Sequence, residues 1–146
     1  VHQGNGTVDI VQGDERILMC SSFQHPFYPH SHVYRLPENI VNVPVPGGCQ
    51  GPEYRKLVEA GWLKRLEEFK PQLILISAGF DGHRLDPMAE MNLETDDYLW
   101  LTQMLTGVAR EYANDRIVST LEGGYHLRAL AESVGVHVGE LVRAGR

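Results

Sequence analysis

The chain has 146 residues, with 13 basic and 19 acidic side chains and a formal net charge of −6. That length holds one domain, or the greater part of a larger one, and allows a real hydrophobic core. The acidic balance and the lack of any basic run exclude a nucleic-acid binder working through phosphate electrostatics, and no apolar run reaches the roughly 18–20 residues that span a bilayer.

The chain opens at Val1-His2-Gln3-Gly4-Asn5-Gly6-Thr7 without an initiator methionine. No charged stretch is followed by an apolar one, so no secretory leader is expected and a cytoplasmic location is. A start inside a glycine-rich motif is expected of a processed, cloned or fragmentary chain. The His2–Thr7 segment reads as a loop, with a strand ending at Val1-His2. Arg16–Cys20 reads as the first full strand and Asn39–Val43, stopping at Pro44, as the second. Cys20 and Cys49 lie beside apolar runs and read as buried free thiols, since two cysteines make neither a disulfide scaffold nor a metal knuckle.

Glu53–Phe69 reads as a helix, with Tyr54, Val58, Trp62, Leu66 and Phe69 on one stripe and Pro71 blocking continuation. Gln72–Ser77 is the strongest strand, and Arg116–Leu121 is the last. Both read as buried on two faces, which favours a parallel sheet. Asp96–Ala113 reads as a helix capped by Thr95, with Leu101, Leu105, Val108 and Tyr112 on its apolar side. Leu127–Val142 reads as another, with Leu127, Leu130, Val134, Val138 and Leu141 facing the core. Strand, helix, strand, helix from residue 72 onward implies an α/β fold with a mostly parallel sheet between helical layers. Ligands of such folds gather beyond the carboxyl ends of strands.

Chemistry-bearing residues gather at those ends. Asp81 follows the strongest strand between Gly79 and Gly82; it can ligate a metal, orient a base or cap a turn. Asp86-Pro87 reads as a turn. Glu122-Gly123-Gly124-Tyr125-His126 follows the last strand. Its glycines can offer N–H groups to an anion or substrate, but it lacks the Lys-Ser/Thr ending of a phosphate loop. Tyr125 can donate to a developing oxyanion or be a packed or surface ring. His2 is a metal ligand or a frayed terminal side chain. His30-Ser31-His32 has the spacing of a metal pair if it lies on a strand.

Five ordered segments then carry a resemblance. Residues 1–7, VHQGNGT, are similar to the histone deacetylase motif Asp-Val-His-His-Gly-Asn-Gly-Thr. SSFQHPFYP at 21–29, Asn42-Val43-Pro44, SAGFDGHRLDP at 77–87 and LEGGY at 121–125 resemble later motifs of that family in the same order. The nearest likeness is to deacetylase-like, acetoin-utilisation and acetylpolyamine amidohydrolases of bacteria. The resemblance implies the arginase–deacetylase fold, a three-layer α/β/α arrangement. Residues 1–146 would be the C-terminal portion of the domain, incomplete at its N-terminal side.

It also implies a zinc-dependent hydrolase of acetyl-lysine or acetylpolyamine amides. His2 and Asp81 match two zinc ligands, and Tyr125 matches the tyrosine that polarises the amide carbonyl. Ser21, with backbone from His2 and Ser22, matches part of a structural potassium site. Phe27, Tyr28, Gly123 and Gly124 match the lining of the acyl-lysine tunnel. The first Asp ligand would lie two residues before His2, and a catalytic His pair further upstream, so this chain alone is expected to be weakly active or inactive. The alternative is a non-catalytic remnant acting through protein–protein or self-association, with a homodimer covering exposed sheet surface. Three positions depart from the pattern: Gln3 replaces a second His, His30-Ser31-His32 a Gly-Thr-Gly run, and Leu85 a common Gly.

Overall fold

A computed structural model describes all 146 residues. Four strands form two parallel pairs. β1 (Met19–Gln24) lies beside β2 (Ile40–Val45), and β3 (Ile74–Ala78) beside β4 (Ile117–Leu121). No ladder joins the pairs. Val1 lies between them. Its carbonyl accepts from the Gln24 N–H at 2.9 Å, and its nitrogen donates to Asp81 Oδ1 at 2.5 Å, just beyond β3.

The first strand starts three residues later than the apolar run suggests and takes in Ser21 and Ser22, past its expected end at Cys20. β2 continues through Pro44, which costs little because that residue is exposed and a strand of a two-stranded pair has a free edge. A short helix, α1 (Asn5–Val11), replaces the expected His2–Thr7 loop and buries Val8 and Val11.

The stripe from Tyr54 to Leu66 is buried as expected, but by an irregular route. α2 (Gly51–Val58) runs into a π-helical turn (Glu59–Leu63) and then α3 (Lys64–Phe69). Apolar residues spaced by four drift around an α-helix of 3.6 residues per turn. The wider turn absorbs that drift and keeps Tyr54, Val58, Trp62 and Leu66 on the core side. Gly61 sits in that turn against β2; a β-carbon there would lie 2.4 Å from Val43 Cγ2.

α4 (Thr95–Tyr112) is capped by Glu94 rather than Thr95. The Glu94 and Asp97 side chains serve each other's backbone N–H groups, the reciprocal arrangement that satisfies two orphan donors. Asp97 also takes Arg55 of α2 at 2.7 Å, tying the start of α4 to the last turn of α2.

α5 (Leu127–Ala144) departs most from expectation. Its buried face is Ala129, Ser133, His137 and Glu140, not the leucine stripe; Leu127 is 80% and Val138 47% exposed. The reason lies in the polar partners waiting on α4 and β4. Thr102 Oγ1 and Ser119 Oγ hydrogen-bond the two ring nitrogens of His137 at 2.8 and 2.9 Å, and Thr106 donates to Glu140. Leu130 and Val134 still touch the core from the side.

Nor are β3 and β4 buried on both faces. Ile74 and Ile76 face inward, while Leu75 is 72% and Val118 57% exposed. One apolar cluster otherwise runs through the molecule, from Val43 and Val45 through Trp62 and Phe80 to Leu105 and Val108. No helix is long and apolar enough to cross a membrane.

Candidate functional site

The site builds up where β3 and β4 end. Asp81 is 2% exposed, in the turn after β3. The Gly123 backbone presses on its carboxylate so closely that a β-carbon there would sit 2.2 Å from Oδ2. The strand ends are stitched together by Phe80 N–H to Gly123 O at 2.7 Å and Glu122 N–H to Ala78 O at 2.9 Å. A carboxylate removed from water needs a nearby cation or several donors, and the Val1 nitrogen is one donor within reach of Asp81.

His2 follows directly but is exposed, its ring turned to the 25–29 loop. It stacks on Phe27 with centroids 5.2 Å apart and meets the Tyr28 ring edge-on at 5.6 Å. Its Nδ1 lies 3.3 Å from the Tyr28 carbonyl. The structure therefore brings His2, Phe27 and Tyr28 together, and separately Asp81, Val1 and Gly123. The one-residue step from Val1 to His2 joins the two groups.

The Tyr125 ring is 55% exposed, and its hydroxyl makes no hydrogen bond within the chain. Its backbone, by contrast, is held. The Asp86 carboxylate, 7% exposed as a residue, accepts from Tyr125 N–H at 2.7 Å and His126 N–H at 3.3 Å. The Tyr125 and His126 N–H groups, just after the two glycines, are thus engaged by Asp86. Gly124 adopts φ +146°, where side chains are strained, and a β-carbon there would meet Leu130 at 2.7 Å.

Ser22 Oγ is 2.8 Å from the Tyr54 hydroxyl, and that phenol is pushed up to about 12 mainly by burial. Ser21 is half-buried on β1. His30 and His32 lie in a loop with φ 61° and 57°, not on a strand, and His32 engages Asp9 and Ser31, so they do not form the alternating metal pair. Cys20 and Cys49 are free thiols as expected, Cys49 fully and Cys20 partly buried; burial pushes Cys20 up to about 12 and Cys49 up to about 11, which removes them as nucleophiles at neutral pH.

As a metal site, the chain's donors are of the right chemical type but too few. No three His, Cys, Asp or Glu side chains are grouped to hold an ion. His2 and Asp81 alone do not make the closed or three-ligand set that zinc requires. Two contributors escaped the sequence. Asp86 holds partners 39 and 40 residues away, beyond any local pattern. Gln3 is 2% exposed with both amide atoms unpartnered, a burial that its place beside an exposed histidine does not suggest.

The histone deacetylase domain model matches residues 1–141. The chain is 41% identical over 137 residues to the uncharacterized protein slr0245 of Synechocystis, covering 92% of this chain and 43% of that one. Its fold superposes on the HD domain of HDA15 with a TM-score of 0.86 at 30% identity, covering 98% of this chain and 42% of that chain. It superposes on the acetylpolyamine aminohydrolase of Burkholderia pseudomallei with a TM-score of 0.82 at 27% identity, covering 96% and 42%. The chain thus spans about two fifths of the length of these relatives. With the α/β architecture of the arginase–deacetylase type and the ordered motifs at its strand ends, it belongs to the histone deacetylase family of deacetylase-like amidohydrolases.

Proposed function

We propose that the full-length protein hydrolyses acetyl amides of the acetyl-lysine or acetylpolyamine kind, with zinc as cofactor and this chain supplying His2, Asp81 and Tyr125. The observation that carries the reading is the convergence of three segments. The Asp81 carboxylate meets the Val1–His2 segment on one side and the Gly123 backbone on the other, and Tyr125 stands two residues beyond Gly123. Bound zinc would supply Lewis acidity toward a carbonyl oxygen and a water.

The chain's own residues do the rest. Asp81 brings a buried negative charge to the strand ends. Gly123 and Gly124 keep the approach free of side chains. Phe27 and Tyr28 present flat apolar rings that suit the methylene stem of lysine or a polyamine. The Tyr125 hydroxyl, free of partners in the fold, can donate to the oxygen that gains charge as the amide is attacked. The reading extends to a potassium ion near Ser21 and Ser22 and to a cytoplasmic location.

Turnover of an acetyl-lysine peptide, measured with and without added zinc, tests the proposal. The full-length protein should turn over. Tyr125→Phe should lower its kcat by about 10²–10³, the range for loss of one oxyanion donor. The 146-residue chain should show little activity, because too few ligands are grouped. Full activity of the Phe variant would overturn the role given to Tyr125.

A second reading is favoured by the exposed pair Leu75 and Val118. Here the chain acts by association, a second copy covering that sheet face.

A further inference from the structure

We propose that Asp86 is the positioning residue for Tyr125, fixing the phenol through the backbone; this rests on the catalytic reading of Tyr125 given above. The tyrosine ring has little packing of its own, being more than half exposed with an unbonded hydroxyl. Its place is therefore set by the main chain on either side. On one side is Gly124, in a conformation that other residues adopt with strain. On the other is the Asp86 carboxylate. Oδ2 takes the N–H groups of Tyr125 and His126, while Oδ1 takes the Met88 N–H at 2.9 Å.

The carboxylate has no Lys, Arg or His partner within ion-pair distance, so these backbone donors carry its charge. It also faces the start of α5, whose N-cap His126 accepts from Ala129 N–H, and a helix N-terminus favours negative charge. One buried anion thus ties the loop after β3, which carries Asp81, to the loop after β4, which carries Tyr125. A neutral or shorter side chain loosens that tie without touching substrate. Misplacing a reacting group by about 1 Å can cost about 10²-fold in rate.

Two measurements on wild type, Asp86→Ala and Asp86→Asn test this. Amide hydrogen exchange on the 146-residue chain reads the tie itself. In Asp86→Ala, the Tyr125 and His126 amides should exchange at least about tenfold faster, while amides within α4 keep their protection. Asp86→Asn retains one acceptor oxygen and should fall between, and it carries the test if the alanine variant does not fold. Steady-state kinetics on the zinc-loaded full-length protein read the consequence. Here kcat should fall about 10–100-fold in Asp86→Ala with KM within about twofold, and Asn should restore part of the loss.

Unchanged exchange at Tyr125 and His126 overturns the tie. Faster exchange with an unchanged kcat, in a protein that Tyr125→Phe inactivates, overturns the positioning role. If Tyr125→Phe leaves kcat unchanged, the catalytic reading of the tyrosine falls, and Asp86 as its positioning residue falls with it. The exchange result then reports only the loop-to-loop tie.

Discussion

The two parallel strand pairs hold their loops in opposite ways. Beyond β3 and β4 the loops interlock through buried groups: Asp81 against Gly123, Asp86 on Tyr125 and His126, and the Tyr98 hydroxyl donating to the Phe80 carbonyl at 3.1 Å. Beyond β1 the 25–38 loop is held by half-buried or exposed rings, such as His2 on Phe27 and Tyr34 on His25, and by Asn42 of β2 donating to the His32 and Val33 carbonyls. A buried polar contact left unmade costs far more than an exposed one. The β3–β4 end is therefore rigid and intolerant, while the β1 end is adaptable, which suits a fixed set of reacting groups beside a surface that accommodates a substrate stem.

The sharpest break of this contrast is a single methyl group. Gly123→Ala puts a β-carbon 2.2 Å from Asp81 Oδ2, and that carboxylate is enclosed and cannot yield. Overpacking of this kind costs about 1–3 kcal/mol, and here the upper end is expected. Gly6→Ala in α1 meets nothing within 4 Å and removes a glycine from a helix, so it should be neutral or stabilising by up to about 1 kcal/mol. Urea midpoints of the two variants check this. A Gly123→Ala midpoint equal to wild type would show that the β3–β4 end is as compliant as the other.

The next effect is one of pH, and it too separates the halves. His137 and His83 both lie in the β3–β4 half, and burial, the leading cause for each, lowers their pKa below the ordinary histidine value. The unfolded chain, with histidines near 6.5, takes up these protons first. Stability is thus fully present above about pH 6.5 and lost as pH falls below it toward the depressed folded values. The slope is at most about 1.4 kcal/mol per pH unit for each group. Ordinary carboxylates titrate at about 4, so unfolding followed between about pH 5 and 7.5 reads mainly the histidines. His137→Gln should flatten that slope; an unchanged slope would mean the loss arises elsewhere.

How much of this was legible in the sequence follows from the range of each interaction. The positions of the strands after residue 72 and of the two long helices read correctly because apolar runs and helical periodicity are local, although the strands' second face proved exposed. The buried side of α5 did not. His137 and Glu140 are drawn inward by Thr102, Thr106 and Ser119, residues from 18 to 35 positions away, and their polarity argued for the surface. The same holds at the site. Asp81 and the Gly-Gly-Tyr loop stand out by their place after strands, whereas Asp86 has the local look of a turn residue, and only the fold reveals its partners. The π-helical turn was written in the spacing, as three successive steps of four, but any one of those steps fits an ordinary helix.

The smallest effect on stability tests what covers the open side of the β3–β4 pair. Leu75 and Val118 are directly paired in register and point the same way, 72% and 57% exposed, with Leu73 and Leu121 also uncovered nearby. Threonine keeps the β-branched shape that strands favour while removing much of the apolar surface. Exposed substitutions of this kind usually change stability by less than about 0.5 kcal/mol each. If a second copy covers the face, wild type should weigh as a dimer by light scattering, and Leu75→Thr with Val118→Thr should weigh as a monomer at the same concentration, with its urea midpoint nearly unmoved. A monomeric wild type, or a dimer that survives both substitutions, rules this face out as the self-association surface.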